Sequence, residues 1–191
     1  MVRATALALG VACAPAQASQ PASPPVPPAA SPAFTAEAVR AAYIINFIRF
    51  TEWPESHAYG PVVVGVVGDR MLEDELIRLA DRQGVAGRSV RVIRAKNLRD
   101  LQTSHVVYFS PAPTLGDESA PGAATALPLL RELPVLTISE SPAFLGQGGI
   151  INLYREEEKL RFEIAPEAAA RARLTLSARL LKLARIFRVE D

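Results

Sequence analysis

Cysteine is almost absent from this sequence, which contains one, Cys13, among 191 residues. Cys13 ends the apolar stretch Ala4–Cys13, and an A-x-A motif follows at Ala16–Ala18. This order is that of a signal peptide, so we expect export and cleavage after Ala18. The exported chain then has no cysteine, which excludes disulfides, thiol catalysis and cysteine metal sites. Lipid attachment at Cys13 is the less favoured alternative, because Leu9 lies one place too early for a lipoprotein signal.

An excess of charge is also absent. The chain has 21 basic and 20 acidic residues, and cleavage would remove only Arg3 from the charged set. A balanced chain lacks the positive field expected of a nucleic-acid-binding protein. The two histidines, His57 and His105, are isolated, which indicates no metal site. No run of residues is apolar and long enough to cross a bilayer, so we expect no transmembrane segment.

Proline, alanine and serine dominate residues Ser19–Ala33, where Val26 is the one bulky apolar residue. Such a segment cannot bury enough apolar surface to offset the entropy lost when it becomes ordered. We therefore expect a signal peptide at residues 1–18, a disordered linker at 19–34 and one domain at 35–191. A domain of roughly 155 residues is large enough to have its own core.

Helices and strands alternate along the predicted domain. Thr35 is a suitable N-cap for a helix over Ala36–Trp53, which Pro54 would end. Pro61–Gly68 (PVVVGVVG) is β-branched and apolar almost throughout, as in a strand buried on both faces. The further predicted elements are a helix at Met71–Gln83 capped by Asp69, a strand at Ser89–Ala95, a helical turn at Asn97–Leu101, a strand at His105–Ser110, a helix at Ala123–Glu132, a strand at Pro134–Ser139, a hairpin of Ile150–Tyr154 and Lys159–Ala165, and a helix at Pro166–Arg188 with a break near Arg173 and Leu174.

This order of elements predicts an α/β fold. We expect a mainly parallel, Rossmann-like sheet flanked by helices, closing with an antiparallel hairpin and a C-terminal helix. The first helix is apolar on more than one side, and a monomer would have to cover both sides. A homodimer contact through this helix or through the sheet edge is therefore expected. The residues assigned to the main apolar face are Val39, Ala42, Tyr43, Asn46, Phe47 and Phe50, with Ile44, Ile45 and Ile48 beside it.

Three segments together resemble the YfiR-like family of periplasmic proteins. They are VRAAYIINFIRFTEWP at Val39–Pro54, GGIINLYREEEKLRFEI at Gly148–Ile164 and LTLSARLLKLARIF at Leu174–Phe187. VVGVVGD and PVLTISE lie between them in the expected order. Some members of the family have disulfides, and because the exported chain has no cysteine, their redox control is not implied here.

The resemblance implies a periplasmic repressor that is not an enzyme and needs no cofactor. Such proteins bind the sensor domain of an inner-membrane diguanylate cyclase and inhibit it, which lowers cyclic-di-GMP signalling and biofilm formation. The alternative is a periplasmic small-ligand binding module coupled to another membrane receptor or sensor kinase. An enzyme on this scaffold would draw on Asp69 and Glu140, which follow strand ends, although capping explains each residue separately.

The predicted hairpin provides the first candidates for partner contact, because it matches a family segment. Arg155, Arg161 and Glu163 are the residues assigned to this role. Since side chains alternate along a strand, Phe162 should point inward while Arg161 and Glu163 point outward.

Two other segments provide the remaining candidates. Phe144 precedes a glycine-rich turn and is assigned as an anchor in a mobile loop, although a tight turn alone explains the glycines. Arg179 and Lys182 recur with Arg185 at three-residue spacing on the predicted last helix. They are assigned to a basic face that binds an acidic partner, and the plainer interpretation is a solvated face favoured by the helix dipole.

Overall fold

The computed structural model describes residues 35–82, 84–85, 87–112 and 121–188. The predicted signal peptide and linker, and most of the predicted loop at Pro111–Gly122, lie outside the described residues. Within them, the helices are α1 (Ala36–Arg49), α2 (Arg70–Arg82), α3 (Leu98–Gln102), α4 (Ala123–Leu130), α5 (Pro166–Arg171) and α6 (Ala178–Leu183). The strands are β1 (Thr51–Glu52), β2 (Val62–Val67), β3 (Val90–Arg94), β4 (Val106–Phe109), β5 (Leu136–Ser139), β6 (Ile151–Glu156), β7 (Lys159–Ile164), β8 (Thr175–Leu176) and β9 (Arg185–Ile186).

Seven strands form one sheet in the order β3-β2-β4-β5-β6-β7-β9. All neighbours are parallel except β6 and β7, which form the antiparallel hairpin. The predicted α/β fold with a mainly parallel sheet is therefore confirmed. The order β3-β2-β4-β5-β6 is that of a doubly wound sheet. The chain passes from β2 to β3 on one side and then returns to place β4 on the other side of β2. Right-handed crossovers then place α2 on one face and α3 and α4 on the other.

The centre of the sheet explains why the apolar segments form strands. Every residue of β2 and β4 is buried, as the uniform β-branched sequence of β2 predicts. Leu72 and Leu76 of α2 are fully buried against this centre. Asp69 caps α2 by accepting a hydrogen bond of 2.9 Å from the backbone N–H of Leu72, which confirms its predicted role.

The first helix begins where the sequence predicts and ends earlier. Thr35 caps it by accepting a hydrogen bond of 3.1 Å from Ala38 N–H. The prediction that it continues to Trp53 is wrong, because residues 51 and 52 leave the helix to pair with β8 as a separate two-stranded sheet. The buried face also differs from the predicted one: Ala42 and Asn46 are exposed, and the buried residues are Ala41, Ile44, Ile45, Phe47 and Ile48.

The C-terminal region breaks near Arg173, as predicted, but the part after the break is helical only over Ala178–Leu183. Arg173 has a positive φ of 58°, which ends the helical segment after α5. Ser177 then starts α6 as a new N-cap, accepting a hydrogen bond of 3.2 Å from Leu180 N–H. After α6 the chain becomes extended and β9 pairs with β7 at the end of the large sheet. Among the described helices, none has both the length and the apolar character needed to cross a membrane.

Candidate functional site

The carboxyl ends of β2, β4 and β5 meet at one edge of the sheet, where polar side chains converge on Arg40 of α1. Arg40 Nη1 lies 3.0 Å from Asp69 Oδ2, 3.4 Å from the Tyr108 hydroxyl and 3.5 Å from Glu140 Oε1. Arg40 Nη2 donates to Glu37 Oε1 at 2.6 Å. We call these five residues the Arg40 cluster. It lies at the point where the strand order reverses, which is where doubly wound proteins commonly bind ligands.

Burial and charge fix the protonation states of Tyr108 and Arg40. Burial raises the pKa of Tyr108, and the nearby Glu140 carboxylate raises it further, so the phenol stays protonated and donates to Glu140 Oε1 at 3.0 Å. Burial alone would lower the pKa of Arg40, but contact with Tyr108 and the carboxylates outweighs it and raises the value. The guanidinium therefore stays charged throughout the physiological range.

The arrangement is that of a clamp between α1 and the sheet. Asp69 and Glu140 do come together, as their positions after strand ends suggested, but each contacts Arg40. Capping explains Asp69, whereas Glu140 binds the Tyr108 hydroxyl. Acid–base catalysis needs a group poised to gain or lose a proton near neutral pH. The charged Arg40 and the protonated Tyr108 do not supply one.

A cavity of about 280 Å³ lies beside the cluster. It extends from Arg40 and Glu140 to Arg155 and Glu158 of the hairpin, with Val39 and Leu160 among its apolar walls. Arg155 is exposed, and it takes part in none of the ion pairs within the described part of the chain. The cavity lining therefore contains both cations and carboxylates.

The hairpin residues singled out from the sequence differ in burial and in their contacts. Phe162 points inward, as predicted, and packs against the rings of Tyr43 and Phe47. Arg161 is exposed and lies 3.4 Å from Glu156. Glu163 is buried, which corrects the prediction that it points to solvent.

Glu163 is buried because a later strand covers it. Asn152 Nδ2 donates to one of its oxygens at 3.2 Å, and Arg185 of β9 donates to the other through Nε at 3.0 Å. The Arg185 guanidinium also lies 4.3 Å from the centre of the Tyr154 ring. Glu163 is therefore an internal acceptor that fixes β9 to the hairpin.

Phe144 is completely buried, which corrects its interpretation as an anchor for a partner in a mobile loop. Its ring lies 6.1 Å from that of Phe109 and directly over Gly149. A Cβ at residue 149 would come within 2.3 Å of the ring, so the glycine is needed for this packing. The loop thus contributes to the core.

Arg179 and Lys182 are exposed on α6, as expected, but Arg185 is not on the same helix face because it belongs to β9. The Arg179 guanidinium lies 5.7 Å from the centre of the Phe50 ring. Pairing of β9 with β7 brings the end of α6 to the same end of the sheet as the hairpin. Two apolar side chains are exposed there, Leu183 at 69% and Ile186 at 40%. We call Arg161, Lys182, Leu183 and Ile186 the β9 edge.

Sequence reasoning did not identify Arg40 or Tyr108. A signal was present in both cases: Glu37 and Arg40 have the i, i+3 spacing of a helical ion pair, and Tyr108 carries the one side-chain hydroxyl in an otherwise apolar strand. Their convergence depends on strand order, which the sequence left open.

Comparison with known proteins gives one family and one fold. The sequence profile of the YfiR/HmsC-like family, DUF4154, matches residues 37–185. A crystal structure of a conserved domain protein from Vibrio cholerae O1 biovar El Tor is similar, with a TM-score of 0.52 and 13% sequence identity. The similarity covers 80% of this chain and 60% of that protein, and at this identity it shows the fold alone. No curated protein matches the sequence.

Proposed function

This chain belongs to the YfiR/HmsC-like family, and from that premise we propose that it is a periplasmic regulator that binds and inhibits the sensor domain of an inner-membrane diguanylate cyclase. Family membership supports a regulatory role in the periplasm. Inhibition of the cyclase would lower cyclic-di-GMP signalling and with it biofilm formation. The chain acts in this account as a binding protein without a catalytic step.

The β9 edge is the surface proposed for the partner, and one observation carries it. Two segments that match the family separately, the hairpin and the C-terminal region, meet there through the β7–β9 pairing. The exposed apolar side chains of Leu183 and Ile186 and the cations Arg161 and Lys182 lie on these two segments. Apolar groups accompanied by polar ones are the composition of a protein interface. Arg155 and Arg179 lie on the same two segments.

Inhibition follows if the chain prefers one state of the sensor domain. A protein that binds the inactive arrangement more tightly than the active one shifts the population toward the inactive state. A coupling of about 1–3 kcal/mol suffices for a 5- to 150-fold effect. A rigid edge fixed by the Glu163–Arg185 contact suits this role, because little ordering entropy is lost on binding.

The test is a titration of the isolated sensor domain with the full chain. Leu183→Asp and Lys182→Glu should weaken binding about tenfold or more, the size expected for central interface residues. The matched control for Leu183 is Met71, which is 68% exposed against 69% for Leu183. Because Met71 lies on α2 and not at the β9 edge, Met71→Asp should leave binding unchanged. Lys96→Glu, after β3, is the control for charge. Equal losses in variants and controls, or binding that no variant weakens, would refute this surface.

A small-ligand binding module is the second candidate, and the cavity beside the Arg40 cluster favours it. Its volume of about 280 Å³ is just below the usual range for ligand sites, about 300–1,000 Å³. A ligand that binds the folded chain raises its melting temperature. A small molecule that produces this rise in wild type but not in Arg155→Gln would support the second candidate.

A further inference from the structure

A second polar group lies at the opposite end of the strands from the Arg40 cluster, around His105. Its Nδ1 accepts a hydrogen bond of 3.1 Å from the backbone N–H of Val63 in β2. The hydrogen of the neutral ring is therefore on Nε2, which lies 3.1 Å from the carbonyl oxygen of His57. His57 ends a 3₁₀ turn, Glu55–His57. The ring of His105 thus joins this turn to the sheet.

Arg88 reinforces the same connection. Its Nε donates to Gly60 O at 2.7 Å and its Nη2 to Tyr59 O at 3.2 Å. The same Nη2 also lies 3.1 Å from Nε2 of His105, a contact that is not a hydrogen bond because both nitrogens carry hydrogens. The Trp53 ring meets the His105 ring edge-on, with the centroids 5.9 Å apart. The segment Trp53–Gly60 is therefore held by one imidazole and one guanidinium.

This geometry is compatible with neutral His105 only. A proton on Nδ1 would face the Val63 N–H that now donates to it, and the added charge would lie 3.1 Å from Arg88 Nη2. Within the described part of the chain, the charged or titratable groups that act on the ring are Arg88 and His57, and both are basic. Burial lowers the pKa of His105 below 6.5, and Arg88 lowers it further.

We propose that His105 is an acid-sensitive latch, whose protonation releases the segment Trp53–Gly60 from the amino ends of β2 and β4. The sign follows from linkage: when the segment is released, His105 has the ordinary histidine pKa of about 6.5 and binds a proton more readily than in the closed form. The closed form is therefore fully favoured above that pH and loses stability as the pH falls below it. This regulation goes beyond the proposed inhibition and does not depend on the β9 edge.

The chain contains its own reporter, because Trp53 is the one tryptophan and His57 and His105 are the two histidines. Trp53 fluorescence is measured on the full chain from about pH 7.5 to pH 5. Far-UV circular dichroism runs in parallel to show that the fold persists. We expect a red shift with a midpoint below 6.5 at unchanged dichroism.

Two variants assign the transition. His105→Asn keeps a side-chain acceptor for Val63 N–H and does not titrate, so its fluorescence should stay constant. His57→Asn keeps the backbone carbonyl that binds Nε2, so its transition should remain. Constant wild-type fluorescence, a transition that survives in His105→Asn, or one lost in His57→Asn would overturn the proposal. A shift that coincides with loss of dichroism would overturn it too, since that is global unfolding.

Discussion

At the residue scale, Arg40 joins α1 to the sheet through its contacts with Asp69, Tyr108 and Glu140. Its guanidinium balances Glu37, Asp69 and Glu140, and its side chain is only 17% exposed. Removing one partner from a poorly solvated charge group leaves the others uncompensated. Replacing Arg40 should therefore lower the free energy of unfolding more than breaking an exposed ion pair of this protein.

Arg40→Met should lower the free energy of unfolding by about 2–3 kcal/mol, because charged hydrogen bonds are lost and three carboxylates are left facing one another. The measurement is urea denaturation at neutral pH. Arg78→Met is the matched control: Arg78 also pairs at i, i+3, with Glu75, but its side chain is 63% exposed. Such a pair contributes about 0.5 kcal/mol or less. Equal effects from the two substitutions would contradict the clamp.

Local sequence signals predicted some residue roles correctly. The predictions that Asp69 caps a helix and that Phe162 points inward are both confirmed. Each depends only on neighbours one to three residues away in the sequence. The burial of Glu163 was not predictable in this way, because its partner Arg185 lies 22 residues later on a strand that the sequence did not indicate. Pairing over such distances depends on tertiary structure.

At the element scale, the loop between β5 and β6 shows how a glycine supports the core. Gly149→Ala should destabilise the fold by about 1–3 kcal/mol, since the added Cβ displaces the buried Phe144 ring. Thermal or urea unfolding measures the loss. Gly146→Ala in the same loop is the control, because its Cβ would meet nothing nearer than Ala143 O at 3.6 Å. Its effect should stay within about 0.5 kcal/mol. Comparable losses at the two positions would contradict the packing described for Phe144.

Element boundaries were predictable where a local signal marks them. Thr35 and Asp69 mark helix starts, and the apolar run of β2 marks a strand. In the C-terminal region the predicted break near Arg173 is confirmed by the positive φ of that residue. The continuous helix expected after it was wrong, because α6 begins only at the cap Ser177 and ends before β9. The short strands β8 and β9 exist only through pairing with β1 and β7, so their own sequences could not indicate them.

At the scale of the whole molecule, alternation of helices and strands was sufficient to predict the fold class. Strand order was not predictable, and this order determines both the place of the Arg40 cluster and the meeting of the hairpin with α6. The expected homodimer stays a prediction. Exposed Ala42 and Asn46 line a groove of about 440 Å³ between α1 and α2. This groove is a surface on which a homodimer contact can be tested.

We propose above that the chain inhibits a membrane diguanylate cyclase by contact outside the cytoplasm. The most direct measurement is the rate of cyclic-di-GMP synthesis by that cyclase in membrane vesicles with its sensor domain accessible to the added chain. The account predicts a saturable fall in rate with wild type and with Met71→Asp, and a much weaker fall with Leu183→Asp. A rate that stays constant at saturating protein, or that falls equally with all three, would contradict it.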